Sequence, residues 1–342
     1  MLEYITLILL FIFFLFIFNK SKIFKNYFID NEFKKVQSFH DNPTPIIGGC
    51  LFFLSLFFYF IFFNINFLNL KILILIGLIN FLVGLADDLK FIRSPTIRFF
   101  LIIFFNLLII INYDLSIKNF EVLFLDYLNQ ITFLNYILIL LALFFIINGA
   151  NLIDGFNGLL GIHSLVILLI LRYILEVQTY DYFEIKKYVN ILIILNSCFL
   201  YFNFPNAKIF LGDSGAYFLG SQLALLSIII YNFFDNISPF FISILLSYLF
   251  FEIFFSVLRK LYEKKNPFLP DGFHMHMLIY KYFKSKKLKA NPFTGFFVNL
   301  FYLLLILPSL LYFDNNMLCM THFFIIIFTY LGIYFLLRRR VG

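Results

Sequence analysis

Charge is scarce in this chain. Asp, Glu, Lys and Arg make up 13% of the 342 residues, 62% are hydrophobic, and mean hydropathy is +0.94. So little charge excludes a large aqueous domain, and nucleic acid is not among the expected partners. Tryptophan is absent, which leaves interfacial anchoring to 21 tyrosines. Cys50, Cys198 and Cys319 are isolated, lie in or beside apolar segments and share no CxxC spacing, so neither a disulfide frame nor a zinc site is expected. No Gly/Ser linker, long polar tract or internal repeat divides the chain, so residues 1–342 read as a single multi-pass domain. The N-terminus has Glu3 and no basic segment ahead of its apolar run, which favours a retained first helix over a cleaved signal. The 55 phenylalanines read as compositional bias and carry no functional weight.

What remains is a series of apolar runs. They fall near 2–18, 46–63, 70–86, 97–113, 134–149, 159–175, 189–204, 216–232, 239–258, 296–313 and 321–337, which predicts an all-α polytopic membrane protein of about eleven transmembrane helices. Of 26 Lys and Arg, 21 fall on one side of this scheme, including nine between Arg259 and Lys289 and the run Arg338 to Arg340. By the positive-inside rule that side is cytoplasmic, so the N-terminus is outside and the C-terminus inside. The expected location is the cytoplasmic (inner) membrane, with cytoplasmic loops near 19–45, 86–96, 149–158, 204–215 and 259–295. The outer loop near 114–133 holds a partly alternating run, Ile117, Phe120, Val122 and Phe124, which suggests a short hairpin. In the longest inner loop, Met277 to Leu288 mixes apolar residues with four lysines, the pattern of a basic interfacial helix attracted to anionic lipids.

Against this apolar background the acids of the inner side stand out. An aspartate at the centre of a spanning helix costs roughly 2.5 to 3.5 kcal/mol, so clustered acids imply helix edges or a polar site. Asp87 and Asp88 close the third run, where adjacent side chains diverge by about 100 degrees and can serve different groups. Alone, the pair equally suits a solvated helix end. Asp154 and Asn157 lie three apart among Gly149, Gly155, Gly158 and Gly161, which would give them one face of a helical turn, or else mark a broken, capped helix. Asp213 sits between Gly212 and Gly215, a setting that alone reads as an N-cap. His274 and His276 would share one side of an extended loop, and beside Asp271 they could hold phosphate oxygens. Carboxylates with little Cys or clustered His suit Mg²⁺, or Mn²⁺, shared with substrate phosphates. A basic inner face favours an anionic substrate. Phosphoryl transfer at the membrane surface follows as the expectation; GxxxxGK[ST] does not occur, so no P-loop is involved.

The order of these segments resembles the polyprenyl-phosphate N-acetylhexosamine-1-phosphate transferases. The matching stretches are Ser38-Phe39-His40, Pro43-Thr44-Pro45 with Gly48-Gly49, Asp87-Asp88, Asn151 to Gly158, Phe210 to Gly215, and Asp271 to His276. The resemblance implies attack by a polyprenyl phosphate, undecaprenyl phosphate in bacteria, on the β-phosphate of a UDP-N-acetylhexosamine, releasing UMP, with Mg²⁺ as cofactor. It implies Asp213 as a Mg²⁺ ligand with Asp88, and Asp87 and Asp88 as groups that position the lipid phosphate or act as base. Asp154 is implied in the catalytic cleft, with Asn151, Asn157, His40, His274 and His276 binding substrate. A homodimer is compatible with it. The family often has Asp where Asn157 stands, a further His at Met277 and an Arg at Gly272. These departures bear on the sugar and favour a GlcNAc donor over MurNAc-pentapeptide. A secondary transporter using buried acids is the rival of another class, and predicts acids at the midplane with repeat symmetry. An inactive scaffold of the same fold is a third reading.

Overall fold

In hydrocarbon a backbone has no water for its N–H and C=O groups, so long apolar runs close their hydrogen bonds within themselves as helices. The structure is a computed structural model that describes residues 2–21, 27–30, 43–63, 70–92, 94–178, 182–267, 269 and 271–341. The helices are α1 (Leu2–Lys20), α2 (Gly48–Phe62), α3 (Lys71–Asp88), α4 (Pro95–Asn112), α5 (Leu123–Asn129), α6 (Thr132–Ile153), α7 (Leu159–Val177), α8 (Phe183–Asn203), α9 (Gly212–Phe233), α10 (Pro239–Tyr262), α11 (Met275–Ser285), α12 (Ala290–Ile306) and α13 (Asn316–Val341). A 3₁₀ turn, Leu307–Leu311, extends α12.

The chain is an all-α multi-pass membrane protein. Among the described residues nine helices are long and apolar enough to cross a membrane; the other two expected spans correspond to α2, which is shorter, and α3, which carries Lys71, Asp87 and Asp88 at its ends. α8 begins six residues before its apolar run because Lys187 near its start finds Glu3 of α1 at 2.6 Å, so a charged turn is carried into the helix. The basic helix expected in the long loop is present as α11, with Met275, His276, Met277 and Leu278 buried.

α9 is the centre of the bundle, with 83% of its apolar window buried against 17 to 56% for the other spans. Its small residues let neighbouring helices approach closely, Gly215 against Gly49 of α2 and Gly220 against Ile147 and Ala150 of α6, the usual way helices associate where lipid is as apolar as a side chain. Polar side chains inside the bundle pair with each other. Asn80 and Asn106 exchange hydrogen bonds of 3.0 and 3.2 Å, and Gln222 accepts from Tyr188 at 2.7 Å while donating to the Leu73 carbonyl at 3.1 Å.

The segment from 114 to 133 holds no hairpin. Its backbone is satisfied by side chains instead of a second strand: Ile117 N–H donates to Asn135 at 3.2 Å, Lys118 N–H to Asn232 at 3.2 Å and Phe120 N–H to Asp126 at 2.5 Å. Within it, Leu123–Asn129 form the short helix α5. The strands among the described residues are β1 (Ile29–Asp30) and β2 (Thr44–Pro45), an antiparallel pair. The chain beyond β2 runs beside Phe210, with Gly48 and Gly49 N–H groups donating to the Phe210 and Leu211 carbonyls at 2.9 and 2.8 Å. That pins the start of α2 to the start of α9.

Candidate active site

Four elements deliver acids to one end of the bundle: the C-terminus of α3, the turn after α6, the N-terminus of α9 and the segment before α11. Asp88 is the last residue of α3, and both its carboxylate oxygens accept from α9, Oδ1 from Asp213 N–H at 2.8 Å and Oδ2 from Ser214 N–H at 3.0 Å. A helix leaves its first N–H groups unpaired, so Asp88 caps α9 from another helix and lends its charge to the positive end of the dipole. Gly212, at φ +79, makes the turn into α9 beneath this carboxylate; an added Cβ would lie 2.8 Å from Asp88 Oδ2.

The cap holds Asp213 in place, and two donors fix its side chain. Asn151 Nδ2 donates to Oδ1 at 2.6 Å, and Arg98 Nη1 to Oδ2 at 3.2 Å. The same Arg98 nitrogen forms a close ion pair with Asp87 Oδ2, so one guanidinium bridges α3 and α9. Sequence reading counted Arg98 only toward orientation. Its signal was an arginine in the first turn of a span that begins seven residues after the Asp87-Asp88 pair.

α6 ends at Ile153, and Asp154 begins a turn that closes at Gly158 with φ +74 before α7 starts. Asp154 and Asn157 therefore do not share a helical face. Asn157 Nδ2 donates to the Pro205 carbonyl at 2.9 Å and its N–H donates to Asn291 Oδ1 at 2.8 Å, bonds that hold the turn against its neighbours. Burial pushes the Asp154 carboxyl well above the usual carboxylate range, and the negative charges of Asp213 and Asp88 push it the same way.

His274 has extended backbone, ψ 152, and α11 starts at the next residue, so His276 lies in the first helical turn. The imidazoles nevertheless stack, with centroids 5.6 Å apart and planes at 8°. Both are buried, at 4% and 0% exposure, and neither faces open solvent. Their Nδ1 atoms lie 3.3 and 3.6 Å from one oxygen of Glu252 in α10. Glu252 was missed in the sequence, although an acid in the middle of a 24-residue apolar helix is itself a signal of a polar site. His276 packs edge-on against Phe156, with centroids 5.7 Å apart, which joins the histidine pair to the turn that carries Asp154. His40 lies outside the described residues.

Asp87 and Asp213 thus share one guanidinium, with Asp88 bound to the backbone of Asp213 and Ser214 and Asp154 within electrostatic reach of Asp213 and Asp88, a concentration of carboxyl groups that a cation could balance. Among the described residues no three acid, His or Cys side chains converge as a metal cage. That still fits Mg²⁺, which is typically held by one or two carboxylates with substrate phosphates and water supplying the rest. Asp213 and Asp87, tied together through Arg98, are the groups placed to share such an ion with a phosphate. Asp88 is the more structural member. Asp88→Ala is expected to lower stability by about 0.5 to 2 kcal/mol, the usual cost of losing a cap, while Asp88→Asn keeps one acceptor and most of that stability. Thermal unfolding in detergent checks this; equal melting for wild type and Asp88→Ala would refute the cap.

These features define a membrane-embedded site for anionic chemistry, built at the ends of helices. A profile of glycosyl transferase family 4 matches residues 70–231. A phospho-N-acetylmuramoyl-pentapeptide-transferase of Dictyoglomus thermophilum is 30% identical over 246 residues, covering 70% of this chain and 75% of its own. A probable undecaprenyl-phosphate N-acetylglucosaminyl 1-phosphate transferase of Bacillus subtilis is 28% identical over 243 residues, 69% of this chain and 66% of its own. An undecaprenyl-phosphate α-N-acetylglucosaminyl 1-phosphate transferase of Thermotoga maritima is 35% identical over 130 residues, 38% of each chain. The chain belongs to the polyprenyl-phosphate N-acetylhexosamine-1-phosphate transferases of glycosyl transferase family 4 and is a sugar-1-phosphate transferase.

Proposed function

We propose that this enzyme transfers N-acetylglucosamine 1-phosphate from UDP-GlcNAc to undecaprenyl phosphate at the cytoplasmic face of the inner membrane. An oxygen of the lipid phosphate attacks the β-phosphorus of the donor, the bond from that phosphorus to the bridging oxygen breaks, and UMP leaves with the oxygen. The observation that carries the reading is the joining of Asp87, Asp213 and Asn151 by Arg98 and direct hydrogen bonds at the end of the bundle where Asp88 and Asp154 also lie. When bound there, Mg²⁺ offsets the charge that grows on the leaving nucleotide. Asp213 and Asp87 would hold it, with Asp88 fixing the Asp213 backbone from behind and Asn151 bonded to the Asp213 carboxylate. Burial, with the neighbouring carboxylates of Asp213 and Asp88, favours the protonated form of Asp154, which would let it sit beside the phosphates at a lower cost in charge. The excess of Lys and Arg on this side supports the cytoplasmic placement and draws an anionic donor.

A second reading concerns the sugar alone. The Dictyoglomus thermophilum relative shares the longest matched stretch of those above and is a phospho-N-acetylmuramoyl-pentapeptide-transferase, so UDP-MurNAc-pentapeptide is the competing donor. Both are tested together by incubating purified protein with undecaprenyl phosphate, Mg²⁺ and a panel of UDP-N-acetyl sugars. UMP and a lipid-linked product are expected with UDP-GlcNAc, lost on chelation and restored by Mg²⁺. Product with UDP-MurNAc-pentapeptide alone reassigns the donor, and turnover that survives chelation removes the metal.

A further inference from the structure

A buried carboxylate needs a partner, because moving an unpaired charge out of water costs several kcal/mol. Glu252 is 1% exposed in the middle of α10, and neither of its oxygens makes a hydrogen bond of good geometry among the described residues. What faces it is the histidine pair, whose two Nδ1 atoms approach the same oxygen, Oε2. Its other neighbours, the hydroxyls of Tyr248 and Tyr330, carry no charge to offer. The pairing therefore falls to the imidazoles, and it acts on both rings in the same sense.

The two histidines differ at their far sides. His274 Nε2 lies 3.7 Å from Asp271 Oδ1, so this ring spans two carboxylates, Glu252 and Asp271. Asp271 is itself anchored, since Arg259 of α10 forms an ion pair with its other oxygen at 2.8 Å. Burial alone would raise the Asp271 carboxyl, but Arg259, with smaller help from His274 and Lys260, holds the group below the usual range, which favours its charged form. Among the described residues His276 has no second acid. Neither ring nitrogen makes a hydrogen bond of good geometry among the described residues, but Nδ1 has the Glu252 oxygen at 3.6 Å whereas Nε2 has no such partner, and the ring lies against Phe156. An unpaired buried nitrogen costs roughly 1 to 3 kcal/mol, a cost that a ligand group removes when it binds.

We infer that Glu252 and His274 are positioning residues that leave Nε2 of His276 as the one nitrogen of the pair presented to substrate. The inference rests on the transferase reading above and sharpens it: the ligand group in question is a polar group of the nucleotide sugar, and the two histidines are not equivalent. Which nitrogen of an imidazole carries the proton is set by what the other nitrogen faces. A carboxylate oxygen accepts only, so Glu252 directs a proton to Nδ1 of each ring and turns both Nε2 edges away from itself. A glutamine in its place offers one acceptor and one donor and cannot set both rings alike.

The test is ¹⁵N spectroscopy of histidine-labelled protein in lipid, which has only five histidines to resolve, with His274→Asn and His276→Asn supplying the assignments. Both Nδ1 atoms are expected in the protonated range, and Glu252→Gln is expected to move at least one of them out. A ring with bare Nδ1 and protonated Nε2 in the wild type overturns the inference, whether or not turnover is seen. In the assay above, His276→Asn is expected to lower turnover about 100-fold, and His274→Asn and Glu252→Gln about 10-fold, within the range for groups that orient a functional side chain. Wild-type activity in His276→Asn sinks the substrate role of Nε2. Loss in His276→Asn with rate and spectrum unchanged in Glu252→Gln sinks the positioning role alone. No turnover by wild type on any sugar sinks the transferase reading, and the spectra then still decide the role of Glu252.

Discussion

Asp213→Asn is expected to reduce turnover by about 10³-fold, the upper range for removing one group that meets developing charge in a closed site. The wild-type carboxylate accepts from two donors, Asn151 at Oδ1 and Arg98 at Oδ2. An asparagine presents one oxygen and one NH₂, so one of those contacts becomes donor against donor and the side chain turns away. The charge goes as well, and with it the anion that offsets Arg98 from the α9 side. Arg98 is then left to Asp87 alone, and the bridge between α3 and α9 is halved. Folding should change little by comparison, because the backbone N–H of residue 213 still donates to Asp88 and only the carboxylate in the first turn of α9 is lost, worth about 0.3 to 1 kcal/mol. Steady-state UMP release, read beside thermal unfolding and UDP-sugar binding of the same preparation, separates the effects. Activity above about a tenth of wild type (roughly 1.4 kcal/mol of barrier) would remove Asp213 from the centre of the site.

Much of this site could be read in the sequence because its acids sit at the ends of apolar runs, and both features are local. The cost of an aspartate in hydrocarbon marks Asp87, Asp88, Asp154 and Asp213 without any knowledge of the fold. The partners were not legible for the same reason. Arg98 meets Asp213 across 115 residues, and hydropathy along one helix reports what faces lipid, not which helix it meets. Glu252 was passed over because a single acid scarcely lowers the mean hydropathy of α10, which stays at 2.2. The histidines were placed on one side of a loop, and their rings do lie together; what spacing could not show is that α11 starts between them and turns both toward α10. The hairpin near residue 120 failed because alternation was read as strand pairing where Asn129, Asn135 and Asp126 supply the bonds a partner strand would have made. Spacing alone puts Asp154 and Asn157 on one helical face, whereas the chain turns there and the Asn157 amide bonds the Pro205 carbonyl.

Gly84→Ala is the second change expected to have a large effect, although it touches no acid. Gly84 lies one helical turn before Asp87 and Asp88 and on their face of α3. A Cβ there would stand 2.4 Å from the Asp213 carbonyl oxygen and 2.5 Å from Ser214 Cα, all backbone of the first turn of α9. Backbone cannot rotate aside as a side chain can, so α3 and α9 must separate by about 1 Å to restore ordinary contact in an interior that is close-packed. The separation falls where Asp88 reaches Asp213 N–H and Ser214 N–H and where Arg98 spans Asp87 and Asp213. A misplacement of that size is expected to cost about 10²-fold in turnover, and the overpacking about 1 to 3 kcal/mol of stability. Gly77→Ala, two turns away on the same helix, is the control. Its Cβ would meet only the Gln222 amide and the Phe218 ring, at 2.6 and 2.9 Å, and these can shift. Turnover and melting temperature should therefore fall far more in Gly84→Ala than in Gly77→Ala. Equal losses in the two variants would mean that the α3–α9 contact tolerates spreading and that the geometry of the acids is set elsewhere.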